Sequence, residues 1–172
     1  MLRNGKFYVA YVDFSQAFDT VQPPILWNIL LRAGVKGRMM KILKSMYSTI
    51  KACVRCGSSW TEYFDCLQGL KQGCLLSLTL FSLFINELAH DMTSNGRHGV
   101  QFSRNDIDIF MMLFADDTIL MSATIAGLQN QLNVLHDCTQ RLHLIVNLSR
   151  TKVMIFRKGG HLSGKEQWVF GN

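Results

Sequence analysis

Asp116 and Asp117 follow Phe114 and Ala115, between the apolar runs Phe110–Leu113 and Thr118–Met121. Each run has the length of a strand, and the acidic pair falls between them as a hairpin turn would. A third carboxylate, Asp13, ends another apolar stretch, in Tyr11-Val12-Asp13-Phe14-Ser15-Gln16-Ala17-Phe18-Asp19. Adjacent carboxylates in apolar surroundings repel each other and are costly to bury. A divalent cation offsets that cost, and Mg²⁺ takes hard oxygen ligands of this kind. A two-metal site for group transfer needs about three carboxylates, converging from different strands on cations about 3.5–4 Å apart. Taken alone, Asp116-Asp117 also reads as a solvated tip and Asp13 as a turn residue.

The elements that must position these acids are visible in the apolar spacing. Lys6 to Phe14 reads as a buried strand, nearly continuous in apolar residues. Pro23-Pro24 starts a helix through about Arg32, with Gly34 as its stop. A second helix is expected from Gly37 to Tyr47, burying Met39, Ile42, Leu43, Met46 and Tyr47. Ile50 to Cys56 and Trp60 to Cys66 read as a hairpin around Gly57-Ser58-Ser59. Thr79 to about His90 reads as a helix, followed by the Phe110 to Met121 hairpin. Ile125 to Leu142 is a long amphipathic helix marked by Leu128, Leu132, Leu135 and Leu142. Thr151 to Phe156 closes as a strand. The pattern is α+β: a small antiparallel sheet backed by helices.

Composition bounds the alternatives. The 172 residues suit one domain, and 48% of them are apolar, enough for a packed core. The net charge of +6 is unevenly spread: residues 1 to 60 carry nine Lys or Arg against two Asp, and the remainder nine against ten acids. A basic excess confined to the first third suits a surface that meets phosphates, and equally a solvated basic face. Five cysteines without framework spacing suggest a reducing, intracellular compartment, nucleus or cytoplasm. Cys53 and Cys56 lie three apart in a strand-like stretch and so face opposite ways, which argues against a shared zinc. The apolar runs are too short for a membrane span, and no targeting segment is expected.

Four motifs in order carry a resemblance: Asp13-x-x-x-Ala17-Phe18-Asp19, then Gln72-Gly73-Cys74-x-x-Ser77, then Phe114-Ala115-Asp116-Asp117, then Asn147 with Thr151-Lys152. Together they resemble the reverse transcriptase family, and within it the non-LTR, LINE-type retrotransposon branch. The resemblance implies an RNA-directed DNA polymerase palm with part of the fingers, using two Mg²⁺ ions (Mn²⁺ possible), an RNA template, a DNA primer and dNTPs. It implies Asp13, Asp116 and Asp117 as metal ligands, with Asp13 and Asp116 foremost. Phe18 would pack beneath the incoming sugar and exclude a 2′-hydroxyl; otherwise it is a core aromatic. Gln72 and Gly73 would line the nucleotide pocket. Lys152 would neutralise or protonate the departing pyrophosphate, or else simply begin an exposed strand.

Asp19 reads as a local cap or turn residue. Leu78 stands where the family usually has proline, which puts the rigidity of the pocket wall in question. Residues 1–172 are expected to form one partial reverse transcriptase domain, with upstream fingers, downstream thumb and the remainder of a longer polyprotein absent. The isolated chain is then expected to be inactive. The rival expectation is a catalytically silent retrotransposon remnant that acts as a basic nucleic-acid-binding or interaction module.

Overall fold

The computed structural model describes residues 5–102, 107–159, 164 and 166–171. Ten short or medium strands and four helices follow one another along these residues. Four of the strands form the main sheet. β1 (Lys6–Val12) pairs antiparallel with β10 (Lys152–Arg157) along one edge and with β9 (Asp117–Ser122) along the other, and β9 pairs in turn with β8 (Met111–Phe114). The sheet order is β10-β1-β9-β8. Alternation along β1 and β9 sends Tyr8, Ala10, Val12, Thr118 and Leu120 to one face, where all are buried. Helix α4 (Ile125–Leu142) lies against β9 and β1. It buries Leu128, Leu132, Leu135 and Leu142, the spacing expected of its apolar face. Thr124 caps it, its hydroxyl accepting from Gly127 N at 3.0 Å.

Over the opposite face, Val9 and Met121 pack with Val100, against Phe7, Ile109 and Ile119. Val100 and Ile109 belong to a hairpin the sequence reading missed, β6 (Val100–Phe102) and β7 (Ile107–Ile109). Three residues a side are too few to show alternation.

The chain divides into two compact units, Met1–Ala17 with Ile85–Asn172, and Phe18–Phe84. The second holds α1 (Pro23–Arg32) and α2 (Gly37–Tyr47), with the expected bounds. Helix α3 (Leu75–Asn95) gives its first ten residues to this unit and the rest to the other. It is longer than expected at both ends. α2 also presents a different face: Met40, Leu43 and Tyr47 are buried, while Met39, Ile42 and Met46 are exposed. The expected hairpin over 50–66 is interrupted. β3 (Arg55–Cys56) pairs with β4 (Ser59–Trp60), and β2 (Lys51–Ala52) pairs separately with β5 (Phe64–Asp65).

Gln131 is wholly buried on α4, and its Nε2 donates to Met121 O at 2.9 Å, with His98 O and Phe110 O each at 3.4 Å. One amide thus ties the helix to the ends of three chain segments. Gln131→Leu removes this donor, leaving Phe110 O only its bond from Met121 N, and should lower the unfolding free energy by about 1–3 kcal/mol, read by denaturant titration of the chain.

Candidate nucleotidyl-transfer site

Asp13 directly follows the last residue of β1. Val12 pairs with Thr118, so Asp13 and Asp117 are the next residues along two neighbouring strands. Asp117 itself pairs with Phe114, which leaves Ala115 and Asp116 as a two-residue turn. Ala115 takes a positive φ of 53°, as the first position of a tight primed turn requires. The strain of a non-glycine residue there marks a tip whose conformation the hairpin imposes. Asp116 and Asp117 are exposed and Asp13 is half-buried.

A second segment braces Asp13. After α4 ends at His143, Ser15 N donates to Ile145 O at 2.8 Å, Phe14 bridges Val146, and Asn147 N donates to Asp13 O at 2.8 Å. The chain then turns. Thr151 N and Arg150 N both donate to Asn147 O, and Asn147 Oδ1 accepts from the Ser149 hydroxyl at 2.7 Å. The Thr151 hydroxyl accepts from Asp13 N at 3.2 Å. Asn147 and Thr151 therefore hold the backbone of the first aspartate from the side opposite the acidic hairpin.

The Asp13 carboxylate is less well provided for. Its Oδ2 is buried and makes no hydrogen bond, and the charge facing it is Arg150, with Nε at 3.6 Å. Arg150 is 72% exposed, so water screens much of that attraction. A buried, unbonded carboxylate oxygen is a fit donor for a hard cation. The three carboxylate side chains are not drawn into a cage, however. Among the described residues no group of three or more His, Cys, Asp or Glu side chains stands close enough together to hold a metal ion.

Arg150 is the residue that sequence reasoning missed. It lies 137 positions from Asp13, and the only available signal was its place inside the Asn147–Thr151 turn. Lys152, expected near the leaving group, starts β10 opposite Tyr11, and its ammonium donates to Ser149 O at 2.6 Å.

The remaining expected residues lie in the Phe18–Phe84 unit. The Phe18 ring stacks on Phe81, centroids 4.4 Å apart and 23° between planes. Phe18, Gln72 and Gly73 line one cavity of about 420 Å³, together with Cys74, Leu75 and Leu78. Gly73 has φ +78°, while an added Cβ would meet nothing within 4 Å, so glycine serves there for its backbone conformation. Leu78 lies in the first turn of α3, and the wall beside it is braced by Ser77. The Ser77 hydroxyl is bonded to the buried Tyr47 hydroxyl at 3.1 Å and donates to Lys71 O at 2.6 Å. Asp19 lies in a turn, one of its two expected roles, and does not cap α1, whose N-cap is Gln22. Its carboxylate instead accepts from Gln72 across 53 residues, a partner too distant in sequence to be read locally.

No helix among the described residues is long and apolar enough to cross a membrane. Comparison with known proteins bears out the family resemblance. The family described as reverse transcriptase (RNA-dependent DNA polymerase) matches residues 2–168. Similar proteins include the Pol polyprotein of a type-1 R2 retrotransposable element from Bradysia coprophila, 24% identical over 87% of this chain and 17% of that protein. The type-2 R2DM element polyprotein of Drosophila melanogaster is 28% identical over 88% of this chain and 14% of its own length. The chain thus spans less than a fifth of these relatives. Among solved structures, a Candida albicans telomerase superposes with a TM-score of 0.62 at 14% identity, covering 86% of this chain and 27% of that one. An apo Candida tropicalis telomerase gives 0.63 at 15% identity, over 96% and 33%. The α+β fold expected from the sequence is the fold these proteins share, and with the family matched along nearly its whole length the chain belongs to the reverse transcriptases.

Proposed function

We propose that this chain is the nucleotide-adding core of an RNA-directed DNA polymerase of retrotransposon origin, joining dNTPs to a primer 3′-hydroxyl on an RNA template. The observation that carries this reading is Asp13, a carboxylate fixed at the end of a doubly paired strand with a buried oxygen lacking a hydrogen bond. Asp13, Asp116 and Asp117 would hold two Mg²⁺ ions, which when bound acidify the primer hydroxyl and neutralise the leaving pyrophosphate.

The chain's own groups account for positioning. Strand pairing sets the backbones of Asp13 and Asp117 side by side. The Phe18 ring, seated on Phe81, offers a rigid wall at the cavity. Such a wall rejects a 2′-hydroxyl by clash and by leaving it unpaired. Arg150 and Lys152 provide cations near Asp13 and at the start of β10 for a departing anionic group. Arg150 is the better placed of the two, since Lys152 is engaged by Ser149 O. Arg32, Lys36, Arg38, Lys41 and Lys44 are all exposed in the second unit and suit phosphate contacts with a template.

The second reading is a silent module that binds nucleic acid without chemistry. The seating of Arg150 beside Asp13 and the open arrangement of the three carboxylates favour it. Primer extension on an RNA template by the protein carrying this chain separates the two readings: extension supports the polymerase, and template binding without extension supports the silent module.

Three outcomes are expected of the polymerase. Asp13→Asn or Asp116→Asn should abolish extension while leaving affinity for an RNA–DNA hybrid almost unchanged, because each removes a metal ligand and not a phosphate contact. Substantial activity in either variant excludes that aspartate as a principal ligand. Phe18→Val should raise incorporation of rNTPs relative to dNTPs, and an unchanged ratio returns Phe18 to the core. Binding of RNA by the chain should show no sequence preference and should weaken steeply with added salt, as released counterions require. Salt-independent binding would rule out the phosphate contacts.

A further inference from the structure

We infer that Asp19 is a positioning residue of the nucleotide cavity: it fixes the side-chain amide of Gln72 so that the carbonyl Oε1 is the atom left to meet the substrate. This rests on reading that cavity as the nucleotide pocket.

Two backbone stretches are tied together around the pair. Leu70 N donates to Phe18 O and Gly69 N donates to Val21 O, each at 2.9 Å. Their close approach depends on Gly69. Its φ is +91°, and a Cβ there would lie 2.9 Å from Asp19 O and 3.0 Å from Asp19 Cα. With the backbones held this closely, the Asp19 carboxylate reaches Gln72, whose Nε2 donates to Oδ1 at 3.0 Å and to Oδ2 at 3.1 Å. An ionised carboxylate can only accept, so the NH₂ end of the amide must face it. The amide therefore has one orientation, and Oε1 points away from the clamp.

Of the other polar side chains at this cavity, Ser77 is already engaged and Lys71 can only donate. The Ser77 hydroxyl bonds Tyr47 and Lys71 O, and the Lys71 ammonium lies over the Tyr47 ring, 5.8 Å from its centroid. Phe18, Cys74, Leu75 and Leu78 supply apolar or weakly polar lining. Gln72 Oε1 accepts no hydrogen bond among the described residues, which leaves it as the free acceptor. A bound nucleotide is then met by a fixed acceptor rather than a rotating amide, and fixing one such group before binding spares its ordering cost on binding.

Stability is not the function of the pair. Both side chains are exposed, and an exposed charged contact contributes little to folding. Substitutions here should leave the fold intact and expose the positioning role. The test is the affinity of the chain for dTTP with Mg²⁺, measured by calorimetry for the wild type, Asp19→Ala, Gln72→Ala and the double variant, with thermal midpoints recorded for each.

We expect each single substitution to weaken dTTP about tenfold and the double variant to be no weaker than Gln72→Ala, because Asp19 acts only through Gln72. Asp19→Asn, which can accept or donate and so leaves the amide free to turn, should weaken dTTP by about threefold with an unchanged midpoint. Multiplicative losses in the double variant, or full affinity in Asp19→Ala, would overturn the inference. The Gln72 side-chain amide proton shifts, compared by NMR between wild type and Asp19→Asn without nucleotide, separate the two levels. Shifts that move while the wild type binds no dTTP overturn the nucleotide reading and leave the clamp standing. Shifts that do not move overturn the clamp itself.

Discussion

A carboxylate sits at the end of a strand paired along both edges, with an oxygen that makes no hydrogen bond. β1 is held along both edges, by β9 and β10, and its residues Tyr8, Val9 and Ala10 are buried. Asp13 cannot retreat from its position without breaking those pairings. Nor can it turn freely, because its N–H and C=O are both taken by the 147–151 turn. Leaving a charged oxygen buried and unbonded costs more than leaving a neutral one. Arg150, at 3.6 Å and largely exposed, offsets only part of that cost. A site with this imbalance would gain from a cation, and the further oxygens proposed for it are those of the acidic hairpin tip on the neighbouring strand.

The stretch from Asp13 to Asp19 serves both compact units. Asp13 belongs to the unit that contains the sheet, and six residues later Asp19 belongs to the unit that contains the cavity. Between them Gln16 adopts a positive φ of 50°, a sharp redirection of backbone just after the strand. One short segment therefore carries a candidate metal ligand, the proposed Phe18 wall and the proposed Asp19 clamp.

Legibility followed locality. Helix α1 is bounded by Pro23-Pro24 and Gly34, and α4 by its leucine spacing, so both were readable to the residue. α2 had readable ends but an ambiguous face: apolar residues at 39, 40, 42, 43, 46 and 47 make two neighbouring stripes, and only tertiary packing chooses Met40, Leu43 and Tyr47. α3 begins at Leu75 rather than Thr79 because the turn at Gly73 already points the chain into the helix. It continues to Asn95, with Met92 buried on its inner side. The three acidic candidates announced themselves as charges interrupting apolar runs. Arg150 and the Asp19–Gln72 pair did not, because each gains its meaning from a partner dozens of residues away.

Asp13, Asp116 and Asp117 are proposed to gather their cations from two strands. Paramagnetic broadening by Mn²⁺, followed amide by amide in the NMR spectrum of the chain, tests it most directly. Signals of residues 12–14 and 115–118 should be lost together at low Mn²⁺, and Asp13→Asn should abolish the effect at both segments. Broadening confined to the exposed hairpin tip, or centred on other acids such as Glu87 and Asp91, would contradict it.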